Sequence, residues 1–118
     1  MSKKSKVPTV YIVNSSGHNY EPASRFGRFS TLTEGRVNIF STERLLSEFK
    51  RDMDGVTTDD CILLSGNAIL NILAAIVMLK KTGAINLLIY DAARREYVLR
   101  EITEDVINLD LEAFRLND

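Results

Sequence analysis

Apolar and polar residues change their spacing along this chain, and each change marks an element. Val7 to Val13 is rich in β-branched and aromatic side chains, is interrupted only by Pro8, and stops at a polar Asn-Ser-Ser-Gly cluster, which are the marks of a strand. Gly17 to Gly27 contains Pro22 between two glycines and reads as a loop with room for one helical turn at Pro22 to Phe26. Arg28 to Leu32 alternates as a shorter second strand, closed by Thr33, Glu34 and Gly35. From Ser41 to Met53, Leu45, Leu46, Phe49 and Met53 recur at steps of three and four with Glu43, Arg44, Glu48, Lys50 and Arg51 between them, so the spacing predicts an amphipathic helix. Ser41 or Thr42 can cap it, Glu43 suits the positive end of its dipole, and Gly55 ends it.

Beyond a polar Thr-Thr-Asp-Asp linker, the alternation disappears. The run from Cys61 to Leu64 is continuously apolar, as in a strand buried on both faces at the centre of a parallel sheet. Asn67 stands where an N-cap belongs, and Ala68 to Lys81 follows as a helix apolar nearly all round, with lysines in its last turn and Gly83 as a stop. So little polar surface implies a helix either sandwiched in the core or buried against another chain. Ala84 to Tyr90 is another unalternating strand, Asp91 to Arg95 a hairpin loop, and Glu96 to Ile102 an alternating, half-exposed strand. In the tail, Ile107, Leu111 and Phe114 favour a helix capped by Thr103 and begun by Glu104 and Asp105, while Ile107, Leu109 and Leu111 also fit a strand.

The resulting order is strand, loop, strand, helix, strand, helix, strand, strand. It implies a small Rossmann-like, three-layer α/β domain with a mostly parallel sheet of about five strands and an antiparallel edge hairpin. At 118 residues and 45% hydrophobic content the chain can bury one core and not two, so residues 7–118 are read as a single domain behind a disordered basic tail at 1–6. Fifteen Lys and Arg against sixteen Asp and Glu leave a formal charge of -1, which removes any global field toward nucleic acid or an anionic membrane. Cys61, the single cysteine, excludes an internal disulfide and a multi-cysteine metal site. The apolar stretch from Ala68 to Leu79 falls well short of the roughly 20 residues a membrane span needs, and no signal-peptide core is evident. The chain reads as cytoplasmic, with no membrane partner and no cofactor.

In open α/β sheets, ligands bind beyond the carboxyl ends of the strands. The loops to inspect are therefore NSSGHN, TEG, SGN and DAARR. The topology should bring Ser15, Ser16, Gly17, His18 and Asn19 across a crevice from Ser65, Gly66 and Asn67, where amides at a helix start could hold an anionic small molecule. The same residue types also make ordinary turns and caps. Neither a G-x-G-x-x-G nor a P-loop pattern occurs, so dinucleotide and P-loop chemistry lack their fingerprints. The stretch Gly17-His18-Asn19-Tyr20 resembles a fragment of a metal-binding motif of the pterin-synthase family, but that family requires further histidines and His18 stands alone. No metal site follows from it. Ser65 lacks the G-x-S-x-G context of a hydrolase nucleophile, and Cys61 opens a buried strand, so no catalytic residue is assigned.

Arg25, Arg28 and Arg36, interleaved with Phe26 and Phe29, form the only segment suited to gripping a nucleic-acid backbone; an edge strand with charged outer positions would look the same. The leading expectation is a non-catalytic α/β binding or interaction protein, a homo-oligomer joined through the apolar second helix or the sheet edge. Its compact size and missing motifs suit an accessory protein of a phage or mobile element. A nucleotide- or phosphate-binding enzyme using the rim loops is the alternative from a different class.

Overall fold

A computed structural model describes residues 7–105. The basic tail at 1–6 and the segment beyond 105, including the helix-or-strand alternative at Ile107 to Phe114, lie outside the described residues.

The strands are β1 (Thr9–Ser15), β2 (Arg28–Glu34), β3 (Cys61–Leu63), β4 (Ala84–Asp91) and β5 (Glu96–Thr103); the helices are a 3-10 turn (Glu21–Phe26), α1 (Thr42–Asp52) and α2 (Ala68–Thr82). The sheet order is β2-β1-β3-β4-β5, with β1 parallel to both β2 and β3, β3 parallel to β4, and β4 antiparallel to β5. The mostly parallel sheet with an antiparallel edge hairpin read from the residue pattern is the fold observed. Beyond Thr103, Glu104 and Asp105 are helical.

This order dictates which face each connection covers. The chain steps outward from β1 to β2, then back past β1 to β3 and on to β4. Parallel crossovers keep one hand, so reversing the direction of travel moves the connection to the other face. The 3-10 turn accordingly packs with Val10, Ile12, Leu63 and Leu88 through Tyr20, Ala23 and Phe26. Both α-helices lie opposite, where Leu45, Phe49 and Met53 of α1 and Leu70, Leu73, Ala74, Val77 and Met78 of α2 meet Tyr11, Val13 and Ile62. Three layers result, one of them only a six-residue turn deep. The three residues of β3, all buried, sit between two parallel neighbours beneath both layers, which is why its sequence shows no alternation.

The helix ends follow their local chemistry. Asn67 caps α2 by accepting the Ile69 N–H on Oδ1 at 2.8 Å, and Gly83 closes it in the left-handed region at φ 85°, its N–H donating to the Leu79 carbonyl. Ser41 holds the N-cap position of α1, but its hydroxyl accepts from Asn38 Nδ2 and makes no side-chain cap. Before β3, Asp60 does more than end a linker. Its buried carboxylate accepts the Thr9 N–H on one oxygen and the Thr57 N–H on the other, each at 2.8 Å, tying the start of β1 to the approach of β3.

Candidate binding site at the sheet rim

Between β1 and β3 the strand order reverses direction, and the chain leaves the two strands toward opposite faces of the sheet. Such a switch point opens a crevice beyond the carboxyl ends of the strands. After β1 the backbone turns at Gly17, φ 89°, and returns beneath itself. Tyr20 secures this return, its hydroxyl accepting from the Ser16 N–H and donating to the Asn14 carbonyl, while Asn19 Oδ1 accepts the Glu21 N–H that opens the 3-10 turn.

The loop after β3 is fixed by the Asn71 side-chain amide and the Ser65 hydroxyl. The Asn14 N–H donates to Ser65 Oγ at 3.0 Å, and Ser65 Oγ donates to the Leu63 carbonyl. Asn71, one turn into α2, accepts the Ser65 N–H on Oδ1 and donates from Nδ2 to the carbonyls of Ser65 and Asn67. On the other side, Asn14 Nδ2 donates to Thr33 Oγ1 and to the Gly35 carbonyl, so one buried asparagine joins the ends of β1 and β2 to the β3 loop. Gly66, φ 77°, lies directly over Asn14: a Cβ there would stand 2.6 Å from the Asn14 Cβ. Only glycine combines that φ with so close an approach.

Gly66 divides the rim into two clefts. One, of about 470 Å³, lies on the side of the 3-10 turn and is lined by His18, Asn19, Tyr20, Ser65, Tyr90 and Tyr97 among others. The other, of about 320 Å³, lies on the α2 side between Asn14, Ser16, Gly35 and Asn67. The two polar loops expected to meet therefore do meet. His18 and Asn19 share a cleft with Ser65 and Gly66, whereas Ser16 and Asn67 face the neighbouring one. Ser15 ends β1 and Gly17 makes the turn; neither lines either cleft.

The tyrosines were not anticipated. Tyr90 and Tyr97 are register partners across the β4–β5 hairpin, and their rings meet edge to face at 5.2 Å and 61°. The signal was present in YDAARREY, where two tyrosines stand equidistant from the loop, but it becomes readable only once the hairpin register is known. His18 contacts Tyr20 edge-on at 6.2 Å. The Tyr97 phenol is held above its usual titration range, first by burial and then by the hydroxyls of Tyr20 and Tyr90 nearby. The three tyrosines thus line one cleft.

Local geometry weighs against nucleophilic roles. Ser65 Oγ is engaged both as donor and as acceptor. Cys61 is buried, and burial followed by the Asp60 charge pushes its thiol up to about 12. Arg25, Arg28 and Arg36 are dispersed. Arg25 donates to the Tyr97 carbonyl and lies over the Phe26 ring at 4.4 Å. Arg28 opens β2 and Arg36 follows its end, so the strand separates them by ~20 Å or more. No helix among the described residues is long and apolar enough to cross a membrane.

Strand order and rim crevice together define a small doubly wound α/β domain with an antiparallel edge. The chain belongs to the family described as Phage Pam3 gp32-like protein, whose model matches residues 8–104 and so takes in all five strands and both α-helices. That membership is consistent with the expected phage accessory protein. Neither the curated proteins nor the solved structures contain a match.

Proposed function

We propose that this protein is a phage accessory protein that works by association, pairing with a second copy of itself through the outward face of α2. The observation that carries the reading is a second apolar seam on that helix. Leu70, Leu73, Ala74, Val77 and Met78 face the sheet, yet Ile69, Ile72 and Ile76 remain 36%, 53% and 43% exposed. With Leu79 they repeat at steps of three, four and three, the spacing of a helix-packing seam. A helix of an isolated small domain would carry polar residues at these positions.

A second copy suits this seam because the spacing reads the same in both directions. Laid antiparallel, Ile72 of one copy meets Ile76 of the other, and Ile69 meets Leu79, giving the self-complementary contact of a two-fold dimer. The antiparallel arrangement also sends Lys80 and Lys81 of the two copies to opposite ends, whereas a parallel one would crowd four lysines together. The sheet edges are less suited. β2 carries Arg28 and Glu34, and β5 carries Glu96, Arg100 and Glu101, charges of the kind that oppose edge-to-edge pairing. Sedimentation equilibrium tests the proposal. The unaltered chain should sediment as two copies and Ile72→Lys/Ile76→Lys as one, with unchanged circular dichroism; equal masses for the two would refute the seam.

A further inference from the structure

The larger rim cleft has a composition that selects among ligands. Its lining holds three tyrosines, His18, Asn19 and Ser65, and among the described residues includes no Lys, Arg, Asp or Glu. A phosphate or nucleotide would find no cation there to offset its charge, and burying it without one is unfavourable. A purely apolar ligand would strand the amide and hydroxyl groups. At about 470 Å³ the cleft has the size of a small-molecule site, and its position at the switch point is where such sites form.

Tyr97 is only 7% exposed, and its hydroxyl has no protein hydrogen-bond partner among the described residues. Tyr97 lines the cleft together with Tyr20 and Tyr90. A ligand hydroxyl entering the cleft can supply a partner to the Tyr97 hydroxyl. Next to it, Tyr90 is 49% exposed and meets Tyr97 in an edge-to-face pair, so about half of its surface is open to a ligand. Among the described residues no parallel ring pair stands there to sandwich a flat base. An open aromatic face beside neutral donors and acceptors matches a ring that is apolar on one side and hydroxylated at its edge.

We infer that the cleft formed by Tyr20, Tyr90 and Tyr97 with His18 and Asn19 binds a neutral sugar residue, the pyranose face resting on Tyr90 and a ring hydroxyl pairing with the Tyr97 hydroxyl. This site is on the opposite side of the sheet from the α2 seam, so it stands independently of the dimer. Saturation-transfer NMR on the full chain tests it with the methyl glycosides of glucose, galactose, mannose and N-acetylglucosamine, alongside uridine, adenosine monophosphate and inorganic phosphate. At least one glycoside should receive saturation, and neither phosphate nor the nucleotide should displace it. Tyr90→Ala, altered at a half-exposed position, should weaken that binding by about tenfold. Tyr97→Phe should weaken it while leaving thermal stability equal or higher, a combination that a merely structural role for the hydroxyl would not give. Ile72→Lys/Ile76→Lys should retain full binding. Saturation of uridine or the nucleotide in place of the glycosides, or of no probe at all, would overturn the assignment.

Discussion

Replacing Gly66 and Gly17 in turn with alanine separates two demands that glycine meets at the rim. Both have positive φ, 77° and 89°, so an L residue at either is strained by about 1–2 kcal/mol, offset by about 0.4–1 kcal/mol from a stiffer unfolded chain. Here the resemblance ends. Around Gly17 a Cβ meets nothing within 4 Å, whereas at Gly66 it stands 2.6 Å from the Asn14 Cβ. Asn14 cannot swing aside without losing its bonds to Thr33 and Gly35, so the overlap adds a cost of the size of core overpacking, about 1–3 kcal/mol. Gly17→Ala should therefore lose about 0.5–1 kcal/mol and Gly66→Ala about 2–4 kcal/mol. For a chain of this size, at roughly 4 °C per kcal/mol, the Tm drops are ~2–4 °C and ~8–16 °C. Differential scanning calorimetry at one fixed protein concentration measures both, the concentration being held because self-association would itself raise Tm. Equal losses at the two positions would refute the close approach of the β3 loop to Asn14.

Other consequences follow from the same packing. Phe49→Ala, which empties the fully buried centre of the α1–α2–sheet core, should cost about 3–5 kcal/mol in urea denaturation. Asp60→Ala should cost about 3 kcal/mol by orphaning the Thr9 and Thr57 amides; Asp60→Asn, with a single acceptor oxygen, should recover part of that loss. The Cys61 thiol should resist an aromatic disulfide reagent at pH 8 until urea is added, because burial holds it protonated. Cys61, Tyr11 and Tyr97 all titrate above their ordinary values when folded, and the unfolded chain therefore releases these protons first. Their contribution is present below pH 9 and declines as pH rises from about 9 toward 12, which a series of denaturation curves would register as falling stability.

How far the residue pattern carried depended on whether the cause was local. β3 was legible because a strand covered on both faces has no polar phase to show. The cap at Asn67 and the stop at Gly83 were legible because each acts on its own helix end. On α2, by contrast, the core seam and the outward seam are both apolar, so the sequence showed only a helix without a polar side. The packing was needed to separate Ile69, Ile72 and Ile76 from Leu70, Leu73 and Val77. The meeting of the two polar loops followed from topology, but the amides of Asn14 and Asn71 that lock them depend on contacts between distant strands. The tyrosines of the cleft depend on hairpin register. The arginines mislead in the other direction: close in sequence, Arg28 and Arg36 are carried to opposite ends of an extended strand.

Association through α2 is tested most directly by the mass of the unaltered chain in solution. Multi-angle light scattering across a concentration series should give twice the chain mass at the upper end, falling toward the single-chain value on dilution. A single-chain mass throughout, up to the highest soluble concentration, would contradict the account.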